Sequence, residues 1–331
     1  MQFKQLGRRQ FIALIGGAAA WPRAARAQQP AVPVIGWLSS RSPGESAHLV
    51  TAFRRGLAEA GYADGRNVVV EFRWADGRND RVATLAADLV GRRVAVLAAV
   101  GGNVTGLAAT ALTTTIPIVF ASGIDPVKVG LVASLNRPGG NVTGVSFFSA
   151  ELTAKVLGLL NELVPNATVV ALLVNPNSPE STSQPADAHT AAHVLGKSVL
   201  VLNASTASEI DAAFATLVRE RAGALLVGGD PILTSRRAQI VALATRHGVP
   251  LFATNRDFAA AGALMGYGNN IPDAYRKVGV YAGRILRGEK PGDLPVDQAA
   301  KFELVINMNS AKALGIAVPN SMQLLADEVI E

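Results

Sequence analysis

Val94-Ala95-Val96-Leu97-Ala98-Ala99-Val100-Gly101-Gly102-Asn103 (residues 94–103) decides the architecture of this chain. A short, continuously apolar run of this kind reads as a strand buried on both faces, and the glycine pair that stops it marks a turn into the next element. Burial on both faces belongs to parallel sheets covered by helices. Around this stretch, Val34–Leu38, Val68–Trp74, Ile116–Ala121 and Val142–Phe148 read as further strands, with helices at about Glu45–Ala60 and Asp80–Val90. The same grammar then begins again. Helical Glu151–Val164, Ala186–Leu195, Glu209–Glu220 and Ser235–His247 alternate with strands Val169–Val174, Val199–Leu202, Ala224–Val227 and Leu251–Ala253.

The two halves echo each other at fixed points. Val227-Gly228-Gly229 repeats Val100-Gly101-Gly102, and each is followed by a helix and a proline-marked strand entry, Ile116-Pro117 and Val249-Pro250. Alternating strands and helices predict an α/β fold. The echo predicts two doubly wound parallel-sheet lobes, with a single large α/β domain as the other reading. The tail adds a strand at Ala263–Tyr267, an amphipathic helix at Asp273–Leu286 stopped by Gly288, a strand at Phe302–Ile306 and a helix at Ser310–Leu314. Shared between the lobes, these elements make the chain cross three times, near Phe148–Glu151, Tyr267–Asn270 and Gly292–Lys301, which forms a three-stranded hinge. Lobe 1 is then 31–148 plus about 267–292, and lobe 2 is 149–266 plus about 293–331.

The first 27 residues read as an export leader: Lys4, Arg8 and Arg9, a short apolar run from Phe11 to Trp21, then Ala25-Arg26-Ala27. The apolar run is too short for a membrane span, and small residues flank a cut after Ala27. The arginine pair resembles the twin-arginine export signal, which a receptor reads and which is not an anchor. Five of the 31 basic residues and none of the 25 acidic ones lie in this leader, so the remainder carries 26 against 25. That balance and the lack of a basic stripe with aromatics give no footprint for nucleic acid. Cysteine is absent, which excludes disulfides and thiolate metal sites, and stability must come from packed cores.

Several enzyme-like patterns fail on spacing. Gly196-Lys197-Ser198 ends like a phosphate loop, but Ala191 stands where that motif needs glycine and a strand follows. His189 and His193 have metal-ligand spacing on one helix, without the glutamate of a zinc protease between them. Gly101–Gly106 lacks the dinucleotide spacing, and His48 and His247 have no nucleophile to serve. No cofactor, no metal and no catalysis are expected. What remains is a set of polar residues at strand ends: Ser39, Ser40, Asn103, Thr105, Ser122, Asp125, Asn175, Asp230 and Asn255, with Tyr267. In open α/β sheets ligands bind beyond the carboxyl ends of the strands, near helix N-termini. Asp125 and Asp230 each precede a proline, so each has a strong rival reading as a helix cap or turn former. Tyr267 reads as a hinge packing residue or a stacking partner.

Arg54–Tyr62, Ile116–Phe120, Asp125-Pro126-Val127, Arg284–Pro291 and above all Leu131–Val145 (LVASLNRPGGNVTGV) are similar to ABC-transporter substrate-binding proteins of the tryptophan/tyrosine-uptake-like group. The resemblance implies a type I periplasmic binding fold, two lobes closing on a small solute such as an amino acid or other carboxylate, and a membrane permease as partner. Many relatives carry a lipoprotein cysteine, so its absence here implies a freely diffusing periplasmic form, and a monomer is expected. A ligand sensor for a membrane receptor, or an exported α/β hydrolase, are the other functions to weigh.

Overall fold

A computed structural model describes residues 32–147, 150–299 and 301–331; the leader and its cleavage site lie outside them. The first lobe opens with β1 (Val34–Ser39), α1 (Ala47–Glu59), β2 (Val69–Trp74), α2 (Val82–Gly91), β3 (Val96–Val100), α3 (Asn103–Leu112), β4 (Ile118–Ser122) and β5 (Val142–Ser146). The second runs through α4 (Ala150–Leu163), β6 (Val169–Val174), α5 (Gln184–Val194), β7 (Ser198–Asn203), α6 (Ala207–Arg219), β8 (Ala224–Val227), α7 (Pro231–Ser235), α8 (Arg237–His247), β9 (Leu251–Ala253), α9 (Arg256–Ala260) and β10 (Met265–Asn269). The tail supplies α10 (Ile271–Leu286), β11 (Asp297–Gln298), β12 (Phe302–Asn307), α11 (Met308–Ala313), α12 (Asn320–Leu325) and β13 (Glu328–Ile330).

The strands form two sheets, ordered β11-β5-β4-β3-β1-β2 and β13-β12-β10-β9-β8-β6-β7. Counting strands from the start of each lobe, both share the doubly wound order 2-1-3-4-5, so the sequence echo is a repeat of topology. Every pairing in the first sheet is parallel, whereas β12 runs antiparallel to β10 in the second. Each sheet is covered on both faces. In the first, Ile35 and Trp37 of β1 point to the α1 and α10 side while Leu38 points to the α2 side, as the two-residue period of a strand requires. In the second, Leu172 and Leu226 face α4, and Leu173 and Leu225 face α6 and α8.

The tail ties the lobes together. Helix α10 follows the last parallel strand of the second sheet yet packs on α1 of the first lobe. The helices touch backbone to backbone because glycines leave the room: a methyl group on Gly56 would fall on the Arg276 carbonyl, and one on Gly279 on the Phe53 carbonyl. The chain thus passes between sheets after β5, between β10 and α10, and between β11 and β12. Two expected boundaries shift. Tyr267 sits in β10 of the second sheet, and Asp297–Gln298 pair with Val145–Ser146 of the first. Other elements move for local reasons. Strand β4 begins at Ile118 rather than Ile116, since Pro117 has no N–H for the ladder. The helix expected over Ser235–His247 is two, broken at Arg236, because Asp230 and Pro231 start the first one early.

Candidate functional site

The order 2-1-3 makes the chain wind outward in opposite directions from β1 and β3, and likewise from β6 and β8. The crevice at such a switch point is open at the carboxyl ends of the strands. The two crevices face each other and share one cavity of about 70 Å3, well above the ~10–15 Å3 that holds one water. Arg41, Gly101, Gly102, Gly123, Phe147 and Tyr275 line it from the first lobe, and Leu152, Asp230, Pro231, Thr234 and Asn255–Asp257 from the second. Asn269, Ile271 and Pro272, at the second crossing, close the side.

The glycine pair after β3 is required here. Gly101 has φ of 85° and Gly102 of 126°, which side chains with a Cβ rarely adopt. Space forbids a side chain as well. A Cβ on Gly101 would lie 2.6 Å from Ser39 Oγ, and one on Gly102 would lie 3.1 Å from Cγ of Pro231 in the opposite lobe. The turn therefore brings the N-terminus of α3 and bare backbone against the cavity. The lobes also meet at the cavity mouth, where Nε2 of His48 on α1 stands 3.9 Å from Oδ2 of Asp257 on α9. Burial, together with Arg41, Arg237 and Arg256 nearby, pulls the His48 pKa below its ordinary value against the opposing pull of Asp257.

Four charged side chains line the cavity, and three of them face a polar partner within the protein. Asp230 caps α7, accepting the Leu233 N–H at 2.8 Å and the Asn175 side chain at 3.2 Å. Burial nonetheless pushes its carboxyl above the usual range. Arg256 meets Glu328 at 2.6 Å and Glu303 at 3.8 Å. Asp257 faces His48. Arg41 joins no ion pair among the described residues, and its Nε is buried without a hydrogen-bond partner.

The polar residues singled out in the sequence divide into three groups. Asp230 and Asn255 line the cavity, and both also cap helices, Asn255 by accepting the Asp257 N–H at 3.1 Å. Ser40 and Asn103 line a smaller adjoining space that shares Gly101, Gly102 and Asp230, and Ser40 donates to the Gly101 carbonyl. The others serve structure around the site. Ser39 accepts from the Arg41 N–H at 3.2 Å, Ser122 donates to Asn103 Oδ1 at 2.5 Å, and Thr105 donates to the Gly102 carbonyl at 2.7 Å. Asp125 accepts from Val127 and Lys128 N–H in a turn, and Asn175 braces Asp230. Tyr267 stacks on Phe302 of the neighbouring strand, with ring centroids 5.9 Å apart. His189 and His193 lie exposed on α5. Sequence reasoning missed Arg41, Asp257, Tyr275 and the apolar wall of Phe147, Leu152, Ile271 and Pro272. Arg41 stands just beyond the end of β1, where the strand-end rule would have found it had charged residues been weighed with the small polar ones.

A family model described as ABC transporter substrate binding protein matches residues 42–330. The chain belongs to that family. This substrate-binding protein is 29% identical over 279 residues to a "Tyrosine-binding protein" of Clostridioides difficile (strain R20291), covering 83% of this chain and 80% of the relative. Among solved structures, it is similar to the ABC domain in complex with L-Trp from Streptococcus pneumonia, with a TM-score of 0.82, 26% identity, and coverage of 90% of this chain and 99% of that one. Against a ligand-free, open structure of a substrate-binding protein with adhesive properties from Clostridium difficile, identity is again 26% and coverage 91% and 99%, but the TM-score is 0.66. The fold is the two-lobed α/β architecture of type I binding proteins. The family is named for binding a substrate, and the protein is a binding protein rather than an enzyme.

Proposed function

We propose that this protein is the solute receptor of an ABC uptake transporter, exported by the twin-arginine-like leader, cut after Ala27 and active as a periplasmic monomer that delivers its ligand to a membrane permease. The observation that carries this reading is the cavity between the lobes, walled from both sides at the two switch points. A ligand that touches both walls favours the closed arrangement, since only differential contact shifts an equilibrium. The crossings beside β5, β10 and β11 are the hinge about which the lobes close. The contrast between TM-scores of 0.82 with an L-Trp complex and 0.66 with a ligand-free, open structure, at equal identity, supports a closed arrangement here.

The ligand is a small carboxylate with an apolar body, and an aromatic amino acid fits best. Phe147, Leu152, Ile271, Pro272 and Tyr275 offer an apolar wall, while Asp230, Asn255, Thr234 and the α3 N-terminus offer polar contacts; Ser40 and Asn103 brace that end of the site. Micromolar binding needs about −8 kcal/mol. A few hydrogen bonds to a charged group, each worth ~1.5–3 kcal/mol, together with apolar burial supply it. Calorimetry of the mature protein with tyrosine, tryptophan, phenylalanine and aliphatic amino acids tests this. Saturable binding of an aromatic member, with a decrease in the radius of gyration in solution scattering, is the expected result. Binding of no small carboxylate, or binding without compaction from a ligand-free open form, overturns it.

A further inference from the structure

One cation in the cavity wall has no counter-charge. Arg41 is half-buried beside the Gly101–Gly102 turn, and its Nε is shut off from water without a partner. Leaving a guanidinium so placed is unfavourable unless an anion meets it, because desolvation is compensated only by a paired charge. Among the described residues, none of the carboxylates around the cavity pairs with it: Asp230 takes its cap donors, Asp257 stands 3.9 Å from His48, and Glu303 and Glu328 meet Arg256. The ten-residue helix α3 points its N-terminus to the same side of the cavity, which adds a second preference for negative charge.

Tyr275, on α10, is the fixed neighbour of this cation in the cavity wall. Its ring is buried in the first-lobe core, 5.7 Å from the Trp37 ring, and it lines the cavity together with Arg41 and Gly101. A phenol anchored at its ring end has little freedom, so it offers the guanidinium a rigid polar surface. We propose that Arg41 is the carboxylate anchor of the cleft and that Tyr275 is the positioning residue that aims it. The planar fork of the guanidinium suits a carboxylate bidentately, which a lysine does not reproduce. The inference rests on the reading that the cleft binds a solute, and it adds which atom of the solute is recognised and by what.

The test compares L-tyrosine with L-tyrosinamide, which lacks only the negative charge, by calorimetry on wild type, R41Q, R41K and Y275F. Wild type prefers the acid by tenfold or more. R41Q loses the preference, R41K recovers part of it, and Y275F reduces it several-fold, the acid weakening more than the amide. A ratio is read because general loosening of the fold would weaken both ligands together. R41Q with the wild-type ratio overturns the anchor, and Y275F with the wild-type ratio overturns the positioning role. Should neither tyrosine nor its amide bind wild type, the amino-acid reading fails and benzoate decides the anchor alone. A melting-temperature rise with benzoate in wild type that is absent in R41Q upholds it, whereas equal shifts, or none in either, overturn it.

Discussion

The two lobes share a strand order but not a method of construction. The first lobe builds its core around interlocked aromatic rings, Trp37 touching Phe53, Phe72, Trp74 and Tyr275, and borrows α10 and β11 from the far end of the chain. The second is packed mainly with leucine, valine, isoleucine and alanine, and its strand ends are stitched to helices by side-chain caps at Asp230, Asn255 and Asn307. One lobe meets the shared cavity with bare glycine backbone and an unmatched arginine. The other meets it with carboxylates and amides already committed to its own helices. Like topology therefore does not distribute binding chemistry equally.

Substitutions at lobe-specific features break this comparison most directly. Gly279→Val should have the largest effect, since the α1–α10 contact leaves no space for a side chain and the helices must separate; overpacking typically costs ~1–3 kcal/mol, and here the obstacle is backbone. The chain has three tryptophans, one in the leader and Trp37 and Trp74 in the first lobe, so tryptophan fluorescence reports first-lobe unfolding. Its midpoint should drop in this variant. Asp230→Ala should act on the other side: lost capping and stranded donors cost about 1–3 kcal/mol in second-lobe stability, read by far-ultraviolet circular dichroism. Asp125→Ala, which removes only turn bonds, should cost about 0.5–1 kcal/mol. Loss of ligand affinity at unchanged melting temperature in either variant would instead assign that carboxylate to the ligand.

Smaller effects sharpen the view of the lobe boundary. Gly102→Ala places a methyl group against Pro231 and a non-glycine residue at φ of 126°, so ligand affinity should fall about tenfold while the second-lobe transition is unmoved. His48 should add a modest pH dependence. Its pKa is lowered where the lobes meet, so the closure proposed above would expel a proton whenever an open form carries one. Affinity is then full above the ordinary histidine pKa of about 6.5 and declines as pH falls below it. A titration of affinity between pH 5 and 8 should show this slope in wild type and none in His48→Gln.

Much of the first comparison was legible beforehand. The apolar run ending in Gly101-Gly102 and its echo at Gly228-Gly229 located both β3 and β8, and with them the two switch points. Period and turn chemistry are local, and local signals survive into the fold. Residue roles at strand ends were less legible, because the chemistry that makes asparagine and aspartate good ligand contacts also makes them good caps. Asp230 and Asn255 show both properties at once, and only the positions of Leu233 and Asp257 N–H reveal the capping. Arg41 and Tyr275 lie far apart in sequence and come to one cavity only through the packing of α10 on α1, which no nearby pattern announces. Short α9, α12 and β13 were not anticipated either, being too brief for a period to declare itself.

The placement of α10 bears on the order of assembly. During synthesis the opening five strands emerge long before the helix that covers Trp37, Phe53 and Leu57, so that face stays bare until the five parallel strands β6 to β10 have been made. Contacts spanning so much chain slow folding and prolong the exposure of apolar surface. A nascent polypeptide halted before Ile271 should consequently hold two unfinished halves, the front one without α10 and β11 and the rear one without β12 and β13, so that neither matures until the shared tail has been added.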